Sequence, residues 1–302
     1  MICSSCPRGC SADRVGQLGF CGATAEPEVA SICVHKGEEP PLCGSKGICN
    51  VFFAHCNLQC VYCQNHTISS RQGAEVVRYR GVERIVEGIA EVLKETENVV
   101  GFVTPSHYAE HIPAIVEGLH ARGLYPTTVY NTGGYDRVEV LRMLAEYIDI
   151  YLPDFKYMDP DLAKRYSFAE DYPQVALAAL KEMYAQKGSA LPTDEQDLAY
   201  RGIIVRHLVL PGQTENSKRV LEAIADVSPN LHVALMAQYF PPQEGLPDAL
   251  GRTLTAEEYE QVADYFYALG LHKGWVQELG AQECYRPDFS KENSFEKPIV
   301  NK

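Results

Sequence analysis

The chain has 302 residues and is 46% hydrophobic, enough for one large domain or two ordinary ones and too apolar for a disordered chain. Its net charge of −13 excludes bulk binding to nucleic acid or to anionic lipid, both of which need a basic surface. No apolar run approaches the roughly 18 residues of a membrane span, and the first residues lack the apolar segment of a secretory signal, so a cytoplasmic protein is expected.

Ten of the eleven cysteines fall between Cys3 and Cys63. The odd count, and the long strand-and-helix pattern that follows, speak against a disulfide framework and for metal or iron–sulfur ligation. Residues 1–47 are rich in Cys, Gly and Pro and show no period; they are expected to form an irregular, metal-stapled extension. Within it Cys3, Cys6, Cys10 and Cys21 have the spacing C-x2-C-x3-C-x10-C. Four thiolates close a tetrahedral zinc site or hold a second iron–sulfur cluster, and sequence does not choose between them. Cys33, Cys43 and Cys49 leave a different foursome open.

From residue 48 onward, short runs rich in β-branched and aromatic residues alternate with amphipathic segments. The runs cover 49–54, 98–103, 127–130, 148–152, 202–206 and 231–235, as expected of strands buried on both faces. Between them, Val82, Ile85, Val86, Ile89 and Leu93 form one helical stripe. Ile112, Ile115, Val116 and Leu119 form another, and Val220, Leu221 and Ile224 a third. This alternation predicts parallel strands with right-handed crossovers, in a 48–285 body that is either an incomplete barrel or an open doubly wound sheet. In both, function collects at the carboxyl ends of the strands. Residues 157–201 interrupt the rhythm and are expected to hold one helix, over 172–186. Cys284, alone, reads as a small core residue, and residues 286–302 as a polar, frayed tail.

Directly after the first predicted strand lie Cys56, Cys60 and Cys63, spaced C-x3-C-x2-C. A structural zinc site needs four ligands. Three thiolates suit three irons of a 4Fe–4S cube and leave the fourth iron open to a small molecule bearing an amine and a carboxylate. This motif, with Tyr62 before its last cysteine, resembles that of the radical S-adenosylmethionine (SAM) superfamily. Further stretches resemble relatives of the pyruvate formate-lyase activating enzyme, in a branch with a Cys-rich N-terminal extension. They are Cys6-Pro7-Arg8-Gly9-Cys10, Glu38-Glu39-Pro40-Pro41, Val103-Thr104-Pro105, Tyr130-Asn131-Thr132-Gly133, Tyr151-Leu152-Pro153-Asp154-Phe155-Lys156 and Val205-Arg206-His207-Leu208-Val209-Leu210-Pro211-Gly212. The resemblance implies an α/β fold, a partial (β/α)6 TIM-like barrel with SAM across its top.

The same resemblance implies roles at the strand ends. Thr104 stands where many activating enzymes carry a Gly-Gly-Glu motif that contacts the SAM amino group. Asn131 and Thr132 are similar to an Asp-Thr-Asn-Gly stretch, and Asp154 and Lys156 to an Asp-Leu-Lys motif; both hold the methionine end of SAM, in part through a monovalent cation. Asn131 in place of Asp removes one negative charge. Arg206 matches an arginine that meets the SAM carboxylate, for which a guanidinium fork is suited. Gln238 and Tyr239 stand where relatives carry Pro-Tyr-His. His107 and His207 read as structural histidines.

The expected activity is radical SAM chemistry. A reduced 4Fe–4S cluster cleaves SAM to a 5′-deoxyadenosyl radical that abstracts hydrogen from a substrate. The resemblance suggests a backbone glycine of a glycyl-radical enzyme as that substrate; a small metabolite or another peptide is the alternative. A flavodoxin- or ferredoxin-type reductant is the expected electron partner. The reading from another class is a non-catalytic electron carrier or metal-stapled binding module.

Overall fold

The protein is described from a computed structural model covering residues 2–71, 76–281, 287–291 and 293–295. Among the described residues nine strands form one sheet: β1 (Glu28–His35), β2 (Ile48–Phe53), β3 (Tyr79–Arg80), β4 (Val99–Val103), β5 (Thr127–Thr132), β6 (Ile150–Pro153), β7 (Gly202–Leu208), β8 (His232–Met236) and β9 (Gly274–Val276). Their spatial order is β3-β1-β2-β4-β5-β6-β7-β8-β9. From β2 to β9 every neighbouring pair is parallel. The six predicted strands are all present, each within two residues at its ends.

The strands are apolar on both faces because both are covered. On the outer face Val51, Phe102, Tyr130 and Val233 meet the helices, whose stripes of Ile85 and Ile89, of Ile115 and Leu119, and of Val220 and Ile224 are buried against them. On the inner face Ile48, Val99, Val129, Ile150 and Ile204 form an apolar floor, closed by Leu42 and Cys43 from the turn of helix Pro40–Cys43. Above that floor the inward positions become polar: Asn50, Asn131, Asp154 and Arg206. The switch from apolar to polar along one strand face marks where the core ends and a site begins. This is the partial TIM-like barrel that the sequence leads one to expect.

Four features differ from expectation. The parallel run contains a further strand, β9, too short for a periodic signal; Gly274 at φ 113 starts it, and a Cβ there would stand 2.1 Å from the Val233 carbonyl oxygen. The 157–201 excursion holds a helix at Pro160–Ser167 besides Tyr172–Lys187. Its start signal is in the sequence, with Asp159 accepting from the amides of Asp161 and Leu162 and proline in the first turn. The extension lacks helix and strand over residues 2–27, and beyond them only in the short stretches 36–39 and 44–47. Residues 28–35 then enter the sheet as β1, antiparallel to β2, an eight-residue strand masked by the Gly- and Cys-rich composition around it. In the tail, Phe289 is buried and packs edge-on to Phe52 at 5.3 Å, and the Phe295 ring lies tilted at 4.1 Å from His35, so these residues return to β1 and β2. Cys284 lies outside the described residues.

Candidate active site

A cavity of about 940 Å³ opens where the parallel strands end. Cys56, Cys60, Cys63, Tyr62, Thr104, Asn131, Thr132, Asp154, Lys156, Arg206 and Gln238 all line it. One wall is the cysteine loop that leaves β2. The loop begins at His55, held at φ 68, and turns again at Gln59, held at φ 53. Non-glycine residues in this region cost of order 1–3 kcal/mol and persist only where surrounding contacts hold them. His55 is held by a buried bond to Glu28 of β1 at 3.1 Å, and Glu28 is braced in turn by Arg80 at 2.6 Å and the Tyr108 hydroxyl at 3.1 Å.

Each of the three sulfurs faces a hydrogen-bond donor. The Leu58 amide donates to Cys56 Sγ at 3.3 Å, the Ser167 hydroxyl to Cys60 Sγ at 2.9 Å and the Ser69 hydroxyl to Cys63 Sγ at 3.3 Å. Burial, and next the neighbouring Cys60, push the Cys56 thiol up to about 12, and the same causes raise Cys63. Burial thus favours the protonated form of Cys56 and Cys63; a bound metal's charge reverses that preference. Tyr62 stands behind the loop, its hydroxyl accepting from Tyr157 at 2.6 Å.

The opposite wall is an ion-pair network on the strand ends. Arg206 donates from Nε to Asp154 at 2.9 Å, from Nη2 to Asn131 at 2.6 Å and from Nη1 to Glu38 at 3.2 Å. Lys156 Nζ meets the other oxygen of Asp154 at 2.7 Å. Burial opposes ionisation of Asp154, but the charges of Lys156 and Arg206 outweigh it and hold the carboxyl below its ordinary range. Three of the five guanidinium N–H groups of Arg206 are thus engaged within the protein, leaving two.

Glu38 also lines this cavity, a position that the strand-end reading did not assign. Its carboxylate sits beside Asn131, accepting from Asn50 at 2.8 Å and from Asn131 at 3.5 Å. It returns to this wall the negative charge that Asn131 lacks. Asn50 reaches it by crossing Gly101 on the next strand, where a Cβ would lie 2.2 Å from Asn50 Oδ1. Glu39 lines the same cavity, and its buried Oε2 has no hydrogen-bond partner. Burial raises Glu39 to about 7, with Arg206 opposing the rise and Glu38 adding to it.

Thr104 is at φ 57, a strained conformation for a β-branched residue, with its amide on the Asn131 carbonyl at 2.8 Å. The Thr132 hydroxyl is committed to the buried Asp136 at 2.5 Å and to Ser106 at 2.9 Å, so it supports the wall from behind. Gln238 is fixed by Gln277 at 2.9 Å. Tyr239 departs from expectation: it lies outside the cavity lining. It is buried, donates to the Leu250 carbonyl at 2.6 Å and packs edge-on to Tyr62 at 6.2 Å, because the chain turns its side chain into the core after β8. His107 and His207 lie outside the cavity lining, each with one buried ring nitrogen that has no partner among the described residues. Each is buried on a backbone carbonyl, Ala54 at 2.8 Å and Phe155 at 2.7 Å, and burial lowers them to about 3 and about 4.

The N-terminal Cys3, Cys6, Cys10 and Cys21 line a second, small cavity, whereas Cys33 and Cys49 belong to β1 and β2 and Cys43 to the floor. Among the described residues no group of three or more His, Cys, Asp or Glu side chains is placed to hold a metal ion.

Residues 50–217, more than half of the chain, match the radical SAM superfamily. An uncharacterized protein of Methanocaldococcus jannaschii is 27% identical over 272 residues, 87% of this chain and 73% of that protein. Among solved structures, methylornithine synthase aligns with a TM-score of 0.50 at 18% identity, over 76% of this chain and 63% of that one, and shares the fold. A domain of a pyruvate-formate lyase-activating enzyme from Bacteroides vulgatus aligns with a TM-score of 0.38 at 16% identity, over 56% of this chain and 93% of that one. The electron-carrier alternative falls with the family match. The chain belongs to the radical SAM superfamily, enzymes whose cofactors are a 4Fe–4S cluster and SAM.

Proposed function

We propose that Cys56, Cys60 and Cys63 hold the 4Fe–4S cluster, that SAM lies between them and the Asn131–Asp154–Arg206 wall, and that the enzyme activates a glycyl-radical protein. The observation that carries the first two parts is the convergence of three thiols and a polar strand-end network on one cavity. The donor set fits the group: three thiols on one cavity wall, each facing an N–H or O–H donor that favours a thiolate. The chemistry such a cluster supplies, once reduced, is one-electron cleavage of SAM to methionine and a 5′-deoxyadenosyl radical that takes a hydrogen atom from the substrate.

The chain's own residues bind, orient and exclude water. The two remaining N–H groups of Arg206 are offered to the methionine carboxylate. Glu39, whose Oε2 has no hydrogen-bond partner among the described residues, takes the ammonium that a Gly-Gly-Glu motif contacts elsewhere in the family. Lys156 balances the negative charge of the thiolates: Asp154, then Cys60 and Cys63, raise it against the opposing effect of burial. The side formed by β7, β8 and β9 presents Leu208, Ala234, Met236 and Trp275, an apolar face against which a substrate backbone is held away from water.

The activase part rests on the motifs shared with the pyruvate formate-lyase activating enzymes. Two measurements separate the parts. With SAM and a reductant, the reconstituted protein should form 5′-deoxyadenosine, and Cys60→Ala should not; product from Cys60→Ala would overturn the ligand assignment. A partner with a C-terminal glycine loop should acquire a glycine-centred radical in the same mixture. Failure with every such partner, while 5′-deoxyadenosine still forms, would sink the activase reading alone.

A further inference from the structure

Residues 2–27 contain no helix or strand, yet they adopt a defined path. Cys3, Cys6, Cys10 and Cys21 wall one small cavity, together with Arg8 and Arg14 and no other charged residue. Backbone amides point at the sulfurs: Phe20 donates to Cys10 Sγ at 3.3 Å and Ala23 to Cys21 Sγ at 3.5 Å. The turns are made for close approach, since a Cβ on Gly19 would lie 3.3 Å from Cys10 Sγ. Four thiolates on a divalent ion, or on an oxidised iron–sulfur cube, carry an excess of negative charge. Amide donors, and the nearby charges of Arg8 and of Arg14, the latter shared with Glu110 at 3.2 Å, offset that excess.

The same loop grips the cysteine loop of the larger cavity. Arg8 donates from Nε to the Asn57 carbonyl at 2.7 Å and from Nη2 to the Ser167 carbonyl at 2.8 Å, and Nη1 reaches Phe168. Its guanidinium also lies 3.9 Å over the Phe20 ring. Gln59, the residue at φ 53, donates its side-chain amide to the carbonyls of Phe20 at 3.0 Å and Cys21 at 3.3 Å. Asn57 and Gln59 both lie between Cys56 and Cys60, and the Ser167 hydroxyl is the donor to Cys60. Every one of these contacts comes from Arg8, Phe20 or Cys21, which stand within two residues of an N-terminal cysteine or are one.

We propose that Cys3, Cys6, Cys10 and Cys21 bind a second, thiolate-ligated metal centre, and that this centre is a structural clamp. Through Arg8 and Gln59 it fixes the backbone between Cys56 and Cys60. Arg8 and Gln59 are positioning residues. The clamp's purpose rests on the reading of Cys56, Cys60 and Cys63 given above; the metal site itself does not.

The test begins with the triple variant Cys56→Ala, Cys60→Ala, Cys63→Ala, purified without oxygen and analysed for metals after loading with zinc or with iron and sulfide. It should retain about one zinc or about four irons per chain, and the element retained identifies the centre. Cys10→Ser in the triple variant should lose that metal; Cys10 is exposed, so its replacement disturbs the least packing. No stoichiometric metal in the triple variant would overturn the site. For the clamp, Arg8→Ala leaves every thiol in place. It should keep the N-terminal metal while hydrogen exchange at the amides of residues 57–61 speeds at least tenfold. Unchanged exchange would overturn the clamp. Neither readout needs SAM turnover, so both stand apart from the test of radical chemistry.

Discussion

Arg206 is the centre of the strand-end wall, and its replacement tests whether that wall is a coupled network. Arg206→Ala removes the contacts to Asp154 at 2.9 Å, to Asn131 at 2.6 Å and to Glu38 at 3.2 Å. Asp154 keeps Lys156 at 2.7 Å, but Glu38 is left with the Asn50 and Asn131 amides alone. Removing one member of a buried ion pair costs about 3–5 kcal/mol, because the charge left behind is uncompensated. Asp154 is 22% exposed and retains a partner, so the low end, about 3 kcal/mol, applies. In a chain of this length a kcal/mol is worth about 2 °C, so the melting temperature should fall by about 6 °C. The stranded charge is removable. Glu38→Gln in the Arg206→Ala background should recover at least about 1 kcal/mol, or about 2 °C, whereas in the wild type it should be destabilising. Thermal unfolding followed by circular dichroism, without SAM, measures all four members of the cycle. If the two losses simply add, Glu38 and Arg206 are not coupled and the account of the wall is wrong.

Three further predictions concern single side chains. Burial holds Glu39 near 7, so its carboxylate forms only as the pH rises through that value, and SAM affinity should strengthen over the same interval. Glu39→Gln should flatten the profile and weaken binding about tenfold at pH 8, or about 1.4 kcal/mol; a flat wild-type profile would remove Glu39 from the amine contact. Gly101→Ala places a methyl 2.2 Å from Asn50 Oδ1 and should cost about 1–3 kcal/mol by overpacking, with partial relief from Asn50→Ala; an unchanged melting temperature would show that Asn50 does not cross Gly101. Tyr239→Phe loses the bond to the Leu250 carbonyl and should cost about 1 kcal/mol without changing SAM affinity; a tenfold loss of affinity would return Tyr239 to the cavity wall.

Most of the strands and helices are legible in the sequence because the strands are apolar on both faces and separated by amphipathic helices, a pattern with its own period; that they form a barrel and not an open sheet comes from the family resemblance, since the period fits both. Strand β9 is not, since three residues carry no period and its place is fixed by contact with β8. Strand β1 is hidden for the opposite reason: Glu28–His35 is a good strand in poor surroundings, and composition averaged over the extension conceals it. The cysteine motif is legible because ligand spacing is local. The Glu38 and Asn50 partnership is not, because it joins a turn before β2 to the strand itself across a glycine of the neighbouring strand. Only the unusual burial of a polar Asn50 within an apolar strand hints at it. Tyr239 shows the limit of matching motifs without a backbone: one residue along a strand end separates the cavity lining from the core.

The most direct measurement of the central claim is electron paramagnetic resonance of the reduced, anaerobically reconstituted protein with and without SAM, beside the Cys56→Ala, Cys60→Ala, Cys63→Ala variant. A cluster on those three thiols with SAM at its open iron predicts a spectrum that changes when SAM is added, and a variant in which the SAM-dependent change is absent. A reduced wild-type cluster whose spectrum ignores SAM, or a variant that keeps the SAM-dependent signal, would contradict it.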